Sequence, residues 1–138
     1  DFFHKGESGG TLCYSAYDLA THLIETEYNP QSWNIYCFHF SDGDDFDSDR
    51  AVASAVKLMQ HKINMFGYGE IRINDSYETL GLLMKKFHQQ FYLEKEDNNK
   101  IDVFLGKTLP FVGVILTEKS HVYESLKVFL RKEINFGE

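Results

Sequence analysis

Three short runs in this chain are apolar or aromatic at almost every position: WNIYCFHF (Trp33 to Phe40), INMFGYGEI (Ile63 to Ile71) and LPFVGVILT (Leu109 to Thr117). Such runs, with little polar alternation, read as strands buried on both faces, as in the middle of a parallel sheet. The segments around them carry helical periodicity instead. From Leu12 to Glu27, the residues Leu12, Ala16, Leu19, Ala20, Leu23 and Ile24 recur at helical spacing. Thr11 is the expected N-cap, because its hydroxyl can accept from free backbone N–H groups, and Asn29-Pro30 is the expected stop. A second helix is predicted over Arg50 to Lys62, with Val52, Ala55, Val56 and Met59 on one face. A third runs from Ser76 to Gln90, and a fourth from Ser120 to Glu133 with Val122, Leu126, Phe129 and Leu130 facing in. Glu94 to Lys107, containing KEDNNK, is expected to be an inserted loop or short excursion. Strands alternating with helices predict an α/β domain with a mostly parallel sheet and helices on both faces.

Bulk properties narrow the function classes. A chain of 138 residues is the size of one domain, and its 12 Phe and 8 Tyr can build a sizeable core. The formal charge of -7, with Lys and Arg scattered singly or in pairs, argues against nucleic acid, whose binding needs a cationic footprint. The longest charge-free apolar run, Thr108 to Thr117, is too short to cross a bilayer. No signal-peptide pattern opens the chain, so a cytoplasmic setting is expected, with Cys13 and Cys37 reduced and mostly buried.

In parallel α/β sheets the ligand site lies at the carboxyl ends of the strands. SDGDDFDSDR (Ser41 to Arg50) stands at one of those ends, with Asp42, Asp44, Asp45, Asp47 and Asp49 close together. So many like charges need solvent or a cation, and hard cations take carboxylate and hydroxyl oxygens. The plainer reading is a solvated loop whose acids favour the next helix N-terminus. An EF-hand is excluded: with Asp45 as first ligand, Arg50 falls where Gly is needed and Val56 where the closing Glu is needed. Gly9-Gly10-Thr11 lacks the Lys-Ser/Thr ending of a Walker A loop, and helix capping alone explains it. It opens the helix that leads into the same strand, so the two loops can approach each other.

Enzyme signatures are sparse. The histidines (His4, His22, His39, His61, His88 and His121) form no HExxH pattern, and no Gly-x-Ser-x-Gly elbow exists. Cys37 and His39 share a strand face, but two ligands fall short of a structural zinc site, and a buried pair is the better reading. Glu70, at the end of the second strand, stands where a catalytic acid could sit; a solvated carboxylate or a cap is the more ordinary role.

The combination is more specific than its parts. ESGGT before a helix, followed by a strand ending in Ser41-Asp42-Gly43, resembles the second and third loops of a von Willebrand factor A-type metal site. More closely, GESGGT…YNPQSWNIYCFHFSDGDD is similar to the bacterial YhbH/YeaH family, an uncharacterised stress- and sporulation-associated group with a von Willebrand A-like domain. The resemblance continues through NMFGYGEI and VYESLKVFLRKE and covers nearly the whole chain apart from 94–107. It implies a von Willebrand A-like, Rossmann-like sheet of which residues 1–138 are the C-terminal portion. It also implies a Mg²⁺ or Mn²⁺ site in which Thr11 and Asp42 are ligands, flanked by Ser8, Gly9, Gly10, Ser41, Gly43, Asp44 and Asp45. The family's first metal loop, Asp-x-Ser-x-Ser, does not occur in the chain and is expected upstream of Asp1.

The function this resemblance implies is binding: a cytoplasmic bacterial interaction module whose metal offers an open position to a carboxylate of a partner protein. A PrkA-type serine kinase is a candidate partner by association. In the family's sheet order the strand at Trp33 to Phe40 lies beside the missing first strand, so self-association through that edge is expected. Two other readings stand beside it: a metal-independent scaffold with a degenerate site, and a Mg²⁺-dependent phosphohydrolase or nucleotide-binding enzyme using the acidic loop.

Overall fold

The computed structural model describes residues 12–43, 47–72 and 81–136, with side chains to Lys132. In chain order the elements are α1 (Cys13–Thr26), β1 (Tyr36–Ser41), α2 (Ser48–Met59), β2 (Met65–Ile71), α3 (Leu82–Phe91), β3 (Glu94–Glu96), β4 (Asp102–Leu105), β5 (Phe111–Leu116) and α4 (Ser120–Phe136). They build one five-stranded sheet in the order β1-β2-β5-β4-β3. β1, β2 and β5 run parallel, and β4 and β3 add an antiparallel hairpin beyond β5.

The three apolar runs are the three parallel strands. β2 and β5 are buried on both faces nearly throughout, as their composition requires. β1 departs from the expectation. It starts at Tyr36 rather than Trp33, stands at one end of the sheet, and is only partly covered. Its start is set by Asn64, whose backbone N–H donates to Ile35 O and whose side chain accepts from Ile35 N, each at 2.8 Å. The segment 94–107, expected as an inserted loop or excursion, contains β3 and β4. Val103 is fully buried against the core on α4's side of the sheet, which gives this polar stretch its apolar anchor.

Helices cover both faces. α1, α2 and α3 share one core with Phe66, Tyr68 and Phe111 of the sheet. Phe87 of α3 lies at its centre, its ring 4.8 Å from that of Phe111 and 5.2 Å from that of Tyr68. On the opposite face α4 places Val128 and Phe129 over Met65, Val112 and Val114. Phe129 stacks on Phe38 at 5.0 Å. Gly67 permits that approach, since a Cβ there would meet both rings at 3.0 Å.

Two helix faces differ from the sequence expectation. α1 buries Cys13, Tyr17, Thr21 and Ile24, whereas Leu12, Leu19 and Leu23 are exposed. Its N-cap position falls on Leu12, with no side-chain cap bond, rather than on Thr11. The helix is turned because Tyr17 finds a polar partner on β1 for its hydroxyl and packs its ring on Phe66 at 5.0 Å. In α4, Ser125, Val128 and Phe129 are buried while Val122 and Leu130 face out. α2 begins two residues earlier than expected because the Asp47 side chain accepts from Arg50 N at 3.2 Å and so caps it. α3 is described from Leu82; the first part of its expected span, 76–80, lies outside the described residues.

Candidate functional site

At the carboxyl end of β1 the chain leaves the sheet through Ser41, Asp42 and Gly43. Ser41 Oγ accepts from Gly43 N at 3.1 Å, which folds the three residues into a tight turn. Gly43 has φ +85°, a left-handed conformation that L side chains rarely adopt. Asp42 is exposed, and its carbonyl accepts from Arg72 Nη1 at 3.3 Å. Of the expected ligands and flanking residues, Ser41, Asp42 and Gly43 are thus brought together on one turn. Ser8, Gly9, Gly10, Thr11, Asp44 and Asp45 lie outside the described residues. Two other acids of the loop have local partners: Asp47 caps α2, and Asp49 pairs with Lys86 of α3 at 3.0 Å.

Beneath the turn lies a buried polar cluster. His39, two residues before Ser41, has its Nδ1 2.8 Å from the Tyr17 hydroxyl and its Nε2 3.8 Å from Cys13 Sγ. These contacts join the first turns of α1 to the end of β1. Its ring also lies 5.6 Å from that of Tyr68 on β2. Tyr68 is fully buried, and its hydroxyl donates to Glu70 Oε1 at 3.1 Å. Burial, with the Glu70 carboxylate next in size, holds the Tyr68 phenol far above its ordinary range, so it remains a donor.

Glu70 is 0% exposed. Its Oε2 accepts from Gly81 N, the N-cap residue of α3, at 2.7 Å. Burial raises its pKa above the usual carboxylate range, and the bonds from Gly81 and Tyr68 together with the Arg72 charge oppose that rise. Of the roles open to Glu70, the cap is the one present; it is not a solvated carboxylate. Sequence reasoning missed the cluster of Tyr17, His39 and Tyr68. The available signal was Tyr68-Gly69-Glu70, two polar groups at i and i+2 on one face of a buried strand.

The remaining candidates resolve simply. Cys13 and Cys37 are not joined in a disulfide. Burial pushes the Cys37 thiol up to about 11, so it stays protonated near neutrality. His39 is engaged by Tyr17 rather than held with Cys37 for a metal. Among the described residues, no group of three or more His, Cys, Asp or Glu side chains is placed to hold a metal ion. The donors that the Ser41–Gly43 turn can offer are hard oxygens, the class that suits Mg²⁺ or Mn²⁺. No described helix is long and apolar enough to cross a membrane.

The fold is a mixed α/β one, with a five-stranded sheet whose parallel strands β1, β2 and β5 end near the Ser41–Gly43 turn. The chain belongs to the family described as "Protein of unknown function (DUF444)", whose model matches residues 1–133. It is similar to a UPF0229 protein of Oceanobacillus iheyensis, 42% identical over 134 residues, which covers 96% of this chain and 30% of that protein. A UPF0229 protein of Shouchella clausii is 41% identical, covering 96% of this chain and 29% of its own length. One from Bacillus cereus is 40% identical with the same coverage. The chain therefore spans about a third of the length of the curated relatives it matches. No solved structure matches it.

Proposed function

We propose that this chain is a non-catalytic, von Willebrand A-like interaction module, akin to YhbH/YeaH proteins, which binds a partner protein through Mg²⁺ or Mn²⁺. Asp42 and Thr11 are its ligands in this chain, and the remaining donors come from the segment upstream of Asp1. The bound metal offers an open position to a carboxylate of the partner. The setting is the bacterial cytoplasm and a stress or sporulation response, with a PrkA-type serine kinase as the first partner to test.

The observation that carries this reading is the junction of Cys13 and Tyr17 with His39. Thr11 lies two residues before Cys13, and Asp42 three residues after His39. The junction therefore brings the start of α1, at Cys13, to the end of β1 that leads into the Ser41–Gly43 turn. Calorimetric titration of the full-length natural protein with Mn²⁺ tests it. Binding that Asp42→Ala abolishes supports the metal-bridged module. Absence of binding turns the reading to a metal-independent scaffold. Turnover of phosphate esters that Asp42→Ala abolishes favours a Mg²⁺-dependent phosphohydrolase instead.

A second observation favours self-association at the β1 end of the sheet. Trp33 is 54% exposed and Tyr28 42%, and both line an apolar groove of about 260 Å³ between the end of α1 and β1; Phe38 of the same strand is 39% exposed on the α4 side of the sheet. Exposed apolar surface gathered in one place marks contact sites. The occupant proposed is a second copy of the chain. Light scattering that reports a dimer, reduced to monomer by Phe38→Lys with Trp33→Lys, is the expected result; a monomeric wild type overturns it.

A further inference from the structure

Glu70 touches two loops at once. Oε2 holds the amide of Gly81 at the start of α3. A Cβ built on Gly81 would stand 2.5 Å from Oε1, and one built on Gly43 would stand 2.3 Å from the same atom. The carboxylate thus lies against the backbone of both glycines. The glycines also meet each other, since that Gly81 Cβ would be 3.0 Å from Gly43 Cα. A backbone bond from Leu83 N to Gly43 O at 3.3 Å closes the arrangement. The carboxylate itself is further held by the Tyr68 hydroxyl from β2, by the Met84 backbone amide of α3, and by its own backbone, which is in register with Ser41 of β1 and Ile115 of β5.

This arrangement goes beyond an ordinary helix cap. A cap needs one acceptor near one helix N-terminus, and an exposed Ser, Thr, Asp or Asn supplies it at little cost. Here a carboxylate is taken fully out of water, which is expensive unless its oxygens are well satisfied. Satisfying them fixes the turn that carries Asp42. Gly43 is the residue next to Asp42, its conformation is left-handed, and the Glu70 carboxyl fills the space where its side chain would be. Arg72, two residues beyond Glu70 on the same stretch, donates to the Asp42 carbonyl. The end of β2 therefore grips the turn on both sides of the Asp42–Gly43 peptide.

We propose that Glu70 is a positioning residue for the Ser41–Asp42–Gly43 turn: it clamps Gly43 against Gly81 and so presents the Asp42 carboxylate in a fixed place at the strand ends. The functional part of this proposal, that the clamp tunes divalent-metal affinity, rests on the reading of Asp42 as a metal ligand. The clamp itself does not. Groups that orient a metal ligand without touching the ion commonly carry ten- to a hundredfold of the affinity.

The test compares wild type, Glu70→Leu and Gly81→Ala in the full-length natural protein. Leucine fills much of the same space but can accept from neither Tyr68 nor Gly81. Alanine at 81 leaves the carboxylate intact and pushes it away from the other side. Amide hydrogen exchange is read at Gly81 and Leu83, and Mn²⁺ affinity by calorimetry. Both variants are expected to exchange at Gly81 and Leu83 about tenfold faster, with the amides of the β2–β5 ladder unchanged, and to bind Mn²⁺ about tenfold more weakly. Unchanged exchange at Gly81 and Leu83 overturns the clamp. Faster exchange with wild-type Mn²⁺ affinity overturns its role in metal binding. A wild type that binds no Mn²⁺ overturns the metal reading alone, and the exchange data then decide the clamp by themselves. If Glu70→Leu fails to fold, Gly81→Ala carries both readouts.

Discussion

The Tyr17 hydroxyl lies 2.8 Å from Nδ1 of His39, joining the second turn of α1 to the end of β1. This contact accounts for the rotation of α1. A helix facing the core with its leucines would have left an imidazole on β1 without the phenol that now meets it. Instead the helix turns Cys13, Tyr17, Thr21 and Ile24 inward and leaves Leu12, Leu19 and Leu23 outside. Tyr17→Phe keeps the ring packing on Phe66 and removes the polar contact. Its expected cost is about 0.5–1.5 kcal/mol, the range for losing one hydrogen bond, read from urea denaturation.

Phe87 makes ring contacts with Phe66, Tyr68, Phe91 and Phe111 and is fully buried. Phe87→Ala is expected to cost about 3–5 kcal/mol, since neighbouring rings cannot collapse into the space. Leu130, expected from periodicity to face inward, is 60% exposed. Leu130→Ala is expected to stay within about 0.5 kcal/mol of wild type. Equal losses for the two variants in thermal or urea denaturation would contradict the observed face of α4.

His88 gives a pH dependence. Its ring packs edge-on to Phe104 at 4.7 Å, and its Nε2 is buried with no hydrogen-bond partner among the described residues. Burial lowers its pKa below the ordinary imidazole value. The unfolded chain therefore takes up the proton at a higher pH than the folded chain does. The stability contribution is complete above the ordinary imidazole pKa and is lost as pH falls through the depressed folded value. Denaturation midpoints measured across this window should fall less with acid in His88→Leu than in wild type.

The Cys37 thiol, with its pKa near 11, is almost entirely protonated at pH 8. Cys13 is 2% exposed. Iodoacetamide at pH 8 is expected to label the native protein at neither cysteine on the timescale that labels both after denaturation, as read by intact mass. Rapid native labelling at Cys37 would contradict the raised pKa of its thiol.

Much of the architecture is legible in the residues themselves. The runs at Ile63 to Ile71 and Leu109 to Thr117 are strands because residues apolar on both faces have nowhere to go but between two helix layers. The end of β1 is legible too, where the apolar run gives way to the acidic segment that starts at Ser41; the left-handed turn at Gly43 came from the structure. Helix periodicity located α1 and α4 but did not set their rotation. Periodicity counts apolar residues, and it gives no weight to a tyrosine or a cysteine whose polar atom has a partner across the sheet.

The sequence by itself determined the three parallel strands and the helices around them, because burial of apolar side chains at a fixed period is a local property; the β3–β4 hairpin within 94–107 carries no such period and came from the tertiary structure. Only the tertiary structure decided that Glu70 and Gly81, eleven residues apart, and Gly43, far upstream, form one contact. Parallel strands bring residues of distant sequence to the same end of a sheet. A buried carboxylate there must be satisfied by whatever donors the fold assembles, and no period in the sequence records which ones those are.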